Sequence, residues 1–261
     1  MRRRVPAVVD AHAHLESCDL PVEEVLAEAR AAGVERVVTI GTGRQSSERA
    51  VALAGAHPEV FAAIGVHPHD ADGYGPWDEA WIRRLAAHPK VVAIGECGLD
   101  FHRRLSAPEA QRRAFVAQVR IARDAGLPVV VHTRDAADET LALLADEAAG
   151  MTVVLHCFSM PERAEQVAER GYFASFAGQL TFPSARDLQD AARRLPGDLL
   201  LVETDSPYLA PVPRRGRPNR PAHAVHTLRF LAGLRGVSPE ELDALTTANT
   251  ERAFPRMRRA G

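Results

Sequence analysis

The sequence predicts an α/β protein of the (β/α)8 barrel type, a single domain over residues 1–261. Short runs of Val, Ile and Leu alternate with helix-like segments along the whole chain, and such runs suit strands buried on both faces. Five of the runs end on, or just before, a nitrogen or carboxylate ligand, so the ligands can gather at one end of a parallel sheet, where α/β enzymes place their chemistry. A length of 261 residues matches the roughly 250 that such a barrel needs.

The first strand is expected over Val5 to Asp10, followed by a helix over Val22 to Ala32, a strand at Val37 to Ile40 and a helix near Ser46 to His57. Phe61 to Val66 reads as the third strand, Trp77 to Ala87 as a helix and Val91 to Gly95 as the fourth strand. Pro108 to Ala125 reads as a long helix with Ser106 as its N-cap. Strands at Pro128 to Val131, Thr152 to Leu155, Tyr172 to Phe176 and Leu199 to Val202 complete eight, with helices over Ala136 to Ala149, Glu162 to Arg170 and Ser184 to Leu195 between them. Gly33, Gly126, Gly150 and Gly171 fall at the helix-to-strand junctions, where a left-handed cap suits glycine. Ser206 to Pro221 is dense in Pro and Arg, and helices over Ala222 to Leu234 and Pro239 to Thr247 follow.

Hydrophobic residues at 46% and charged residues at 25% describe an ordinary globular protein. The net charge of −2 gives no bulk attraction to nucleic acid, so a polyanion would need a local basic patch or a metal. Met1-Arg2-Arg3-Arg4 is followed by too short an apolar stretch for a signal peptide, and no window reaches the roughly 18 apolar residues of a membrane span. Cys18, Cys97 and Cys157 share no paired spacing, which suits a reducing, cytoplasmic setting. Cys97 and Cys157 each follow a ligand, and strand alternation turns them away from it as small buried fillers, with metal ligation the lesser reading.

The candidate ligands are His12 and His14, then Glu96, His132, His156 and Asp205, with Asp10 just ahead of the histidine pair. Two histidines one residue apart face the same way on a strand and can reach one cation. Alone that pair is weak, but ionisable groups at five strand ends are costly to bury unless paired or metallated. Counting donors gives two divalent cations: His12, His14 and Asp205 on one, His132 and His156 on the other, Glu96 bridging. A carboxylated lysine is the other bridge used by two-metal barrels, but Lys90 is the only lysine and precedes strand four, at the wrong end. Imidazole mixed with carboxylate fits Zn or Mn better than Mg, and all three metals stay open.

The chain resembles the TatD family of metal-dependent deoxyribonucleases, among the amidohydrolase-like barrels. The resemblance runs nearly end to end through Asp10-Ala-His-Ala-His14, Gly65-Val-His-Pro-His69, Gly95-Glu-Cys-Gly-Leu-Asp100, Pro128-Val-Val-Val-His132, His156-Cys-Phe-Ser159, Glu203-Thr-Asp-Ser-Pro207 and Asn249-Thr-Glu-Arg252. It implies that His12, His14, Glu96, His132, His156 and Asp205 ligate metal, that Glu96 and Asp205 are catalytic with Asp205 the general base, and that His67 faces substrate. It also implies hydrolysis of nucleic-acid phosphodiesters, DNA first, from the 3′ end of single strands.

Arg214, Arg215, Arg217 and Arg220 cluster after strand eight, where barrels commonly bind phosphate, though a solvated arginine-rich loop reads equally well. Arg215, Arg217, Asn219 and the more distant Arg103 are the expected substrate contacts. Asn219-Arg220-Pro221 departs from the family's Asn-Glu-Pro, so the arginine either adds to phosphate binding or removes a partner that closes the loop. Phe101, Phe158, Phe182 and Tyr208 are the aromatic residues near the rim, with packing the larger expectation for them. His57 and His88 belong to the opposite rim and read as structural. A second enzyme class, an amide or ester hydrolase such as an aminoacyl-tRNA deacylase, fits the same ligands. A protein that only binds a partner would be expected to have lost a ligand. A monomer is compatible with all of these readings.

Overall fold

In the computed structural model residues 7–258 are described; Met1 to Arg4, and Val5 and Pro6 of the expected first strand, lie outside the described residues. Strands β1 (Val8–Ala13), β2 (Val34–Ile40), β3 (Val60–Ile64), β4 (Val91–Asp100), β5 (Val129–Arg134), β6 (Val153–Leu155), β7 (Phe173–Phe176) and β8 (Leu200–Val202) form one sheet in chain order, the order of a (β/α)8 barrel. Helices α1 (Val22–Ala32), α2 (Arg44–Ala56), α3 (Pro76–Ala86), α4 (Pro108–Ala125), α5 (Ala137–Glu147), α6 (Ala164–Glu169), α7 (Arg186–Arg194), α8 (Ala224–Arg235) and α9 (Pro239–Ala253) alternate with the strands and close the chain. Among the described residues no helix is long and apolar enough to cross a membrane.

The described residues divide into two compact units, 39–159 with 253–258 and 7–38 with 160–252. In the first, β3 to β6 pair in parallel, and every residue of β4 is buried. α4 covers this part of the sheet with one face, Ala110, Gln111, Ala114, Phe115, Gln118, Val119, Ile121 and Ala122, at the spacing an amphipathic helix requires. Two of those positions are glutamines seven residues apart, and both are spent on backbone. Gln118 accepts from Val66 N at 2.7 Å and donates to Val66 O at 3.0 Å. Gln111 accepts from Asp100 N at 2.8 Å and donates to Asp100 O at 3.1 Å. One helix face thus fixes the ends of two strands.

In the second unit β7 and β8 are parallel, and Ala13 at the end of β1 bridges Ser206 beyond β8. Arg235 donates to the carbonyls of Ala192 and Leu195 and so satisfies the open end of α7. Asn249 is buried and donates to Gly197 O and Leu200 O at the start of β8, so the terminal Asn249-to-Arg252 motif secures the strand at the end away from Asp205.

Several boundaries differ from expectation for physical reasons. β4 runs to Asp100 because Glu96 and Asp100, polar in sequence, are buried in the strand. α9 runs to Ala253 rather than Thr247, because Thr246 and Thr250 turn their hydroxyls onto helix carbonyls and do not end it. Ser106 does not cap α4: the cap residue is Ala107, whose N–H goes to Asp72, while Ser106 donates to His69 O. The segment expected as one helix over Glu162 to Arg170 is a 3-10 turn, Pro161–Arg163, joined to the short α6. Gly33 and Gly126 close α1 and α4 in the left-handed conformation, as expected.

Candidate metal centre

Within the unit of β3 to β6, the carboxylate of Glu96 is the point on which imidazoles converge. Its Oε1 lies 2.8 Å from His156 Nε2, 2.9 Å from His132 Nδ1 and 3.3 Å from His67 Nε2. His132 Nδ1 and His156 Nε2 are 3.3 Å apart. One ligand atom from each of His67, Glu96 and His132 lies within 4.8 Å of the others. Tetrahedral ligands at the usual metal–nitrogen bond length stand about 3.4 Å apart, so the spacing of these donors fits a divalent cation. His67, expected only to face substrate, reaches the same carboxylate.

Glycines put Glu96 there. A Cβ on Gly98 would stand 2.0 Å from His132 O, and one on Gly95 would stand 2.3 Å from Val130 O. Both glycines have φ in the left-handed half, at +142° and +135°. The β4–β5 register slips between Ile94 and Cys97, so Glu96 sits in an irregular stretch where β4 presses on β5. Cys97 is buried with Sγ towards Val130 O, as expected of a filler, whereas Cys157 is half-buried with φ of +45°.

Asp100, four residues beyond Glu96, went unassigned in sequence. Its Oδ2 lies 2.8 Å from His69 Nε2 and 3.3 Å from His132 Nε2, and its Oδ1 accepts the backbone N–H of His102 and Arg103. Burial raises the Asp100 carboxyl, but these donors outweigh it and hold it well below the usual carboxylate range. A carboxylate on one ring nitrogen of His132 leaves the other, beside Glu96 and His156, with the lone pair that a metal takes up, the arrangement found behind metal-ligating histidines. Burial depresses the His132 imidazole, yet its bonds to Asp100 and Glu96 carry it above its ordinary value; at His67 burial wins and the shift is downward. Arg103 contributes its backbone here and leaves its side chain exposed.

Within the other unit, His12 Nε2 and His14 Nε2 both face Asp205 Oδ1, at 3.8 and 3.5 Å. Asp205 N donates to His12 O and His14 N to Ser206 O, which sets the end of β1 against the segment after β8. Asp205 holds φ of +54°, a strained setting for a residue with a side chain and one that gathers at functional sites. Asp10 is not in the cluster: it is buried and accepts from Thr204 N at 2.8 Å and Thr204 Oγ1 at 2.6 Å. Burial pushes its carboxyl up to about 8 against those bonds.

The loop after β8 divides its polar residues sharply. Arg214, Arg215 and Arg217 are exposed, with the Arg215 guanidinium 4.4 Å above the Phe182 ring. Arg220, weighed as a phosphate contact, is instead bound twice over, to Asp19 at 2.9 Å and to Glu28 at 2.9 Å. Asn219, expected to touch substrate, is buried and donates to Thr204 O and Tyr208 O, so it pegs the loop from beneath. Phe158 is buried core, while Tyr208 is exposed. At the start of β4, Lys90 donates to Pro58 O and Val60 O, and His88 Nδ1 accepts from Lys90 N, which makes both structural.

The TatD related DNase model matches residues 9–255. A Bacillus subtilis protein described as the uncharacterized metal-dependent hydrolase YabD is 38% identical over 249 residues, 94% of this chain and 98% of that protein. A Cronobacter sakazakii protein described as a 3′-5′ ssDNA/RNA exonuclease TatD is 41% identical over 241 residues, 89% and 91% of the two chains. The crystal structure of the Escherichia coli TatD homolog YJJV superposes with a TM-score of 0.89 at 30% identity, covering 97% of this chain and 99% of that one. The chain therefore belongs to the TatD-related DNase family of metal-dependent hydrolases.

Proposed function

We propose that the protein is a deoxyribonuclease that removes nucleotides from the 3′ end of single-stranded DNA in the cytoplasm, with two divalent cations, Mg, Mn or Zn. The observation that carries this reading is the convergence of His67, His132 and His156 on one oxygen of Glu96 at 2.8–3.3 Å. His132, His156 and Glu96 would hold one cation, and His12, His14 and Asp205 the other. Bound there, such cations lower the pKa of water towards about 7 and offset negative charge on a phosphoryl group.

The remaining work falls to the chain's own residues. Asp205, fixed through its N–H to His12 O, orients the attacking water and accepts its proton. His67 faces the substrate beside Glu96, its Nδ1 accepting from His69 N and its Nε2 turned to the carboxylate. Arg215 and Arg217, exposed in the loop after β8, supply forked donors to the phosphates that follow. Asn219 serves them indirectly by holding the loop. The relative described as an ssDNA/RNA exonuclease supports the same substrate class.

The test is hydrolysis of end-labelled single-stranded DNA by metal-stripped protein resupplied with Mg, Mn or Zn, beside Asp205→Asn. Stepwise shortening from the 3′ end, lost in the variant, is the expected result. Stoichiometric metal binding without cleavage of DNA would overturn the reading in favour of an amide or ester substrate, such as an aminoacyl-tRNA.

A further inference from the structure

We infer that Tyr208 is the stacking platform for the terminal nucleobase, an assignment that rests on the nuclease reading and names the part of the substrate bound beside Asp205. Tyr208 is 58% exposed, whereas the rim's Phe158 is 1% exposed. Its ring and the His14 imidazole meet at 71° with centroids 6.0 Å apart, so an exposed aromatic ring lies next to a candidate ligand.

An exposed side chain on a loose loop would be surface and nothing more, but this loop is tied down. Tyr208 N donates to Asp205 O at 2.9 Å, and Tyr208 O accepts from Asn219 Nδ2 at 2.6 Å. Asn219 is in turn held by Thr204 O at 2.8 Å and His223 Nδ1 at 3.0 Å, and the next residue, Arg220, by Asp19 and Glu28. A ring with two rotatable bonds on a fixed backbone loses little freedom when a base lies on it. The same loop carries the exposed Arg214, Arg215 and Arg217, so one rigid segment offers a π-face for a base and cations for the phosphates. Those are the two parts from which single-stranded nucleic acid sites are built. Stacking does not read base edges, so the four terminal bases differ only modestly, by their stacking strength.

The experiment compares wild type, Tyr208→Ala and Tyr208→Phe on an oligonucleotide with an ordinary 3′ end and on one whose terminal base is replaced by an abasic sugar. Loss of one stack raises KM for the ordinary substrate about tenfold in the alanine variant, with kcat nearly unchanged, and the phenylalanine variant restores it. On the abasic substrate the three proteins become equal. Binding of the same oligonucleotides followed by fluorescence anisotropy in EDTA reads the contrast without turnover. Failure of wild type to cleave DNA, with the Tyr208 contrast kept in binding, would sink the nuclease reading alone. Equal KM and equal affinity for wild type and Tyr208→Ala would overturn the inference.

Discussion

Glu96 owes its position to the residues on either side of it. Gly95 and Gly98 take φ values that a side chain resists, at places where a Cβ would strike the carbonyls of Val130 and His132. Gly98→Ala should therefore destabilise the fold by on the order of 3 kcal/mol, since strain and overpacking act together. Urea denaturation checks this, and an unchanged midpoint would refute it. At this scale the gathering of Glu96 with His132 and His156, and of Asp205 with His12 and His14, was legible, because ionisable groups at strand ends are costly to bury alone. Asp100, Gln111 and Gln118 were not legible. A buried glutamine in a helical pattern reads as part of a solvated face until its backbone partners are seen, and Asp100 shows its role only beside His69 and His132.

Among elements, the loop after β8 changed most between expectation and structure. Its arginines look alike in sequence, yet Arg220 belongs to a clasp with Asp19 and Glu28 while Arg214, Arg215 and Arg217 face solvent. The reason lies in distance along the chain: the partners of Arg220 sit about two hundred residues away, beyond any local pattern. The Arg220 guanidinium hydrogen-bonds Asp19 and draws its carboxyl below the ordinary value, as expected of an ion pair. Arg220→Ala should free the loop, so trypsin should cut after Arg214 or Arg215 severalfold faster than in wild type. Identical digestion rates would mean that Asn219 alone secures the segment. Helix and strand order were legible throughout, whereas boundaries slipped where polar residues were buried, as in β4, or where threonines continued a helix, as in α9.

For the whole molecule, the donor clusters tie metal binding to folding stability. Buried imidazoles and carboxylates held close together without a cation must be desolvated and share protons, and a cation offsets that cost only in the folded state. Metal-stripped protein given Zn or Mn at a hundred times the Kd of the site at Glu96 should gain about 2.7 kcal/mol through that site, a rise in Tm of roughly 5–10 °C for a chain of this size. Glu96→Ala should lose most of that gain while keeping its far-ultraviolet circular dichroism. A full metal-induced rise in the variant would remove Glu96 from the ligand set. The barrel order itself could be read from sequence because each strand is an apolar run punctuated by turns, and β1 to β8 lie in the sheet as they lie in the chain. The single lysine has a practical corollary. Lys90 stands at the first end of β4 and Asp100 at the last, so the only side-chain amine lies a strand's length from the carboxylates. An amine-reactive linker that captures Lys90 would hold the enzyme by the first end of β4, leaving the Asp100 end open to solution.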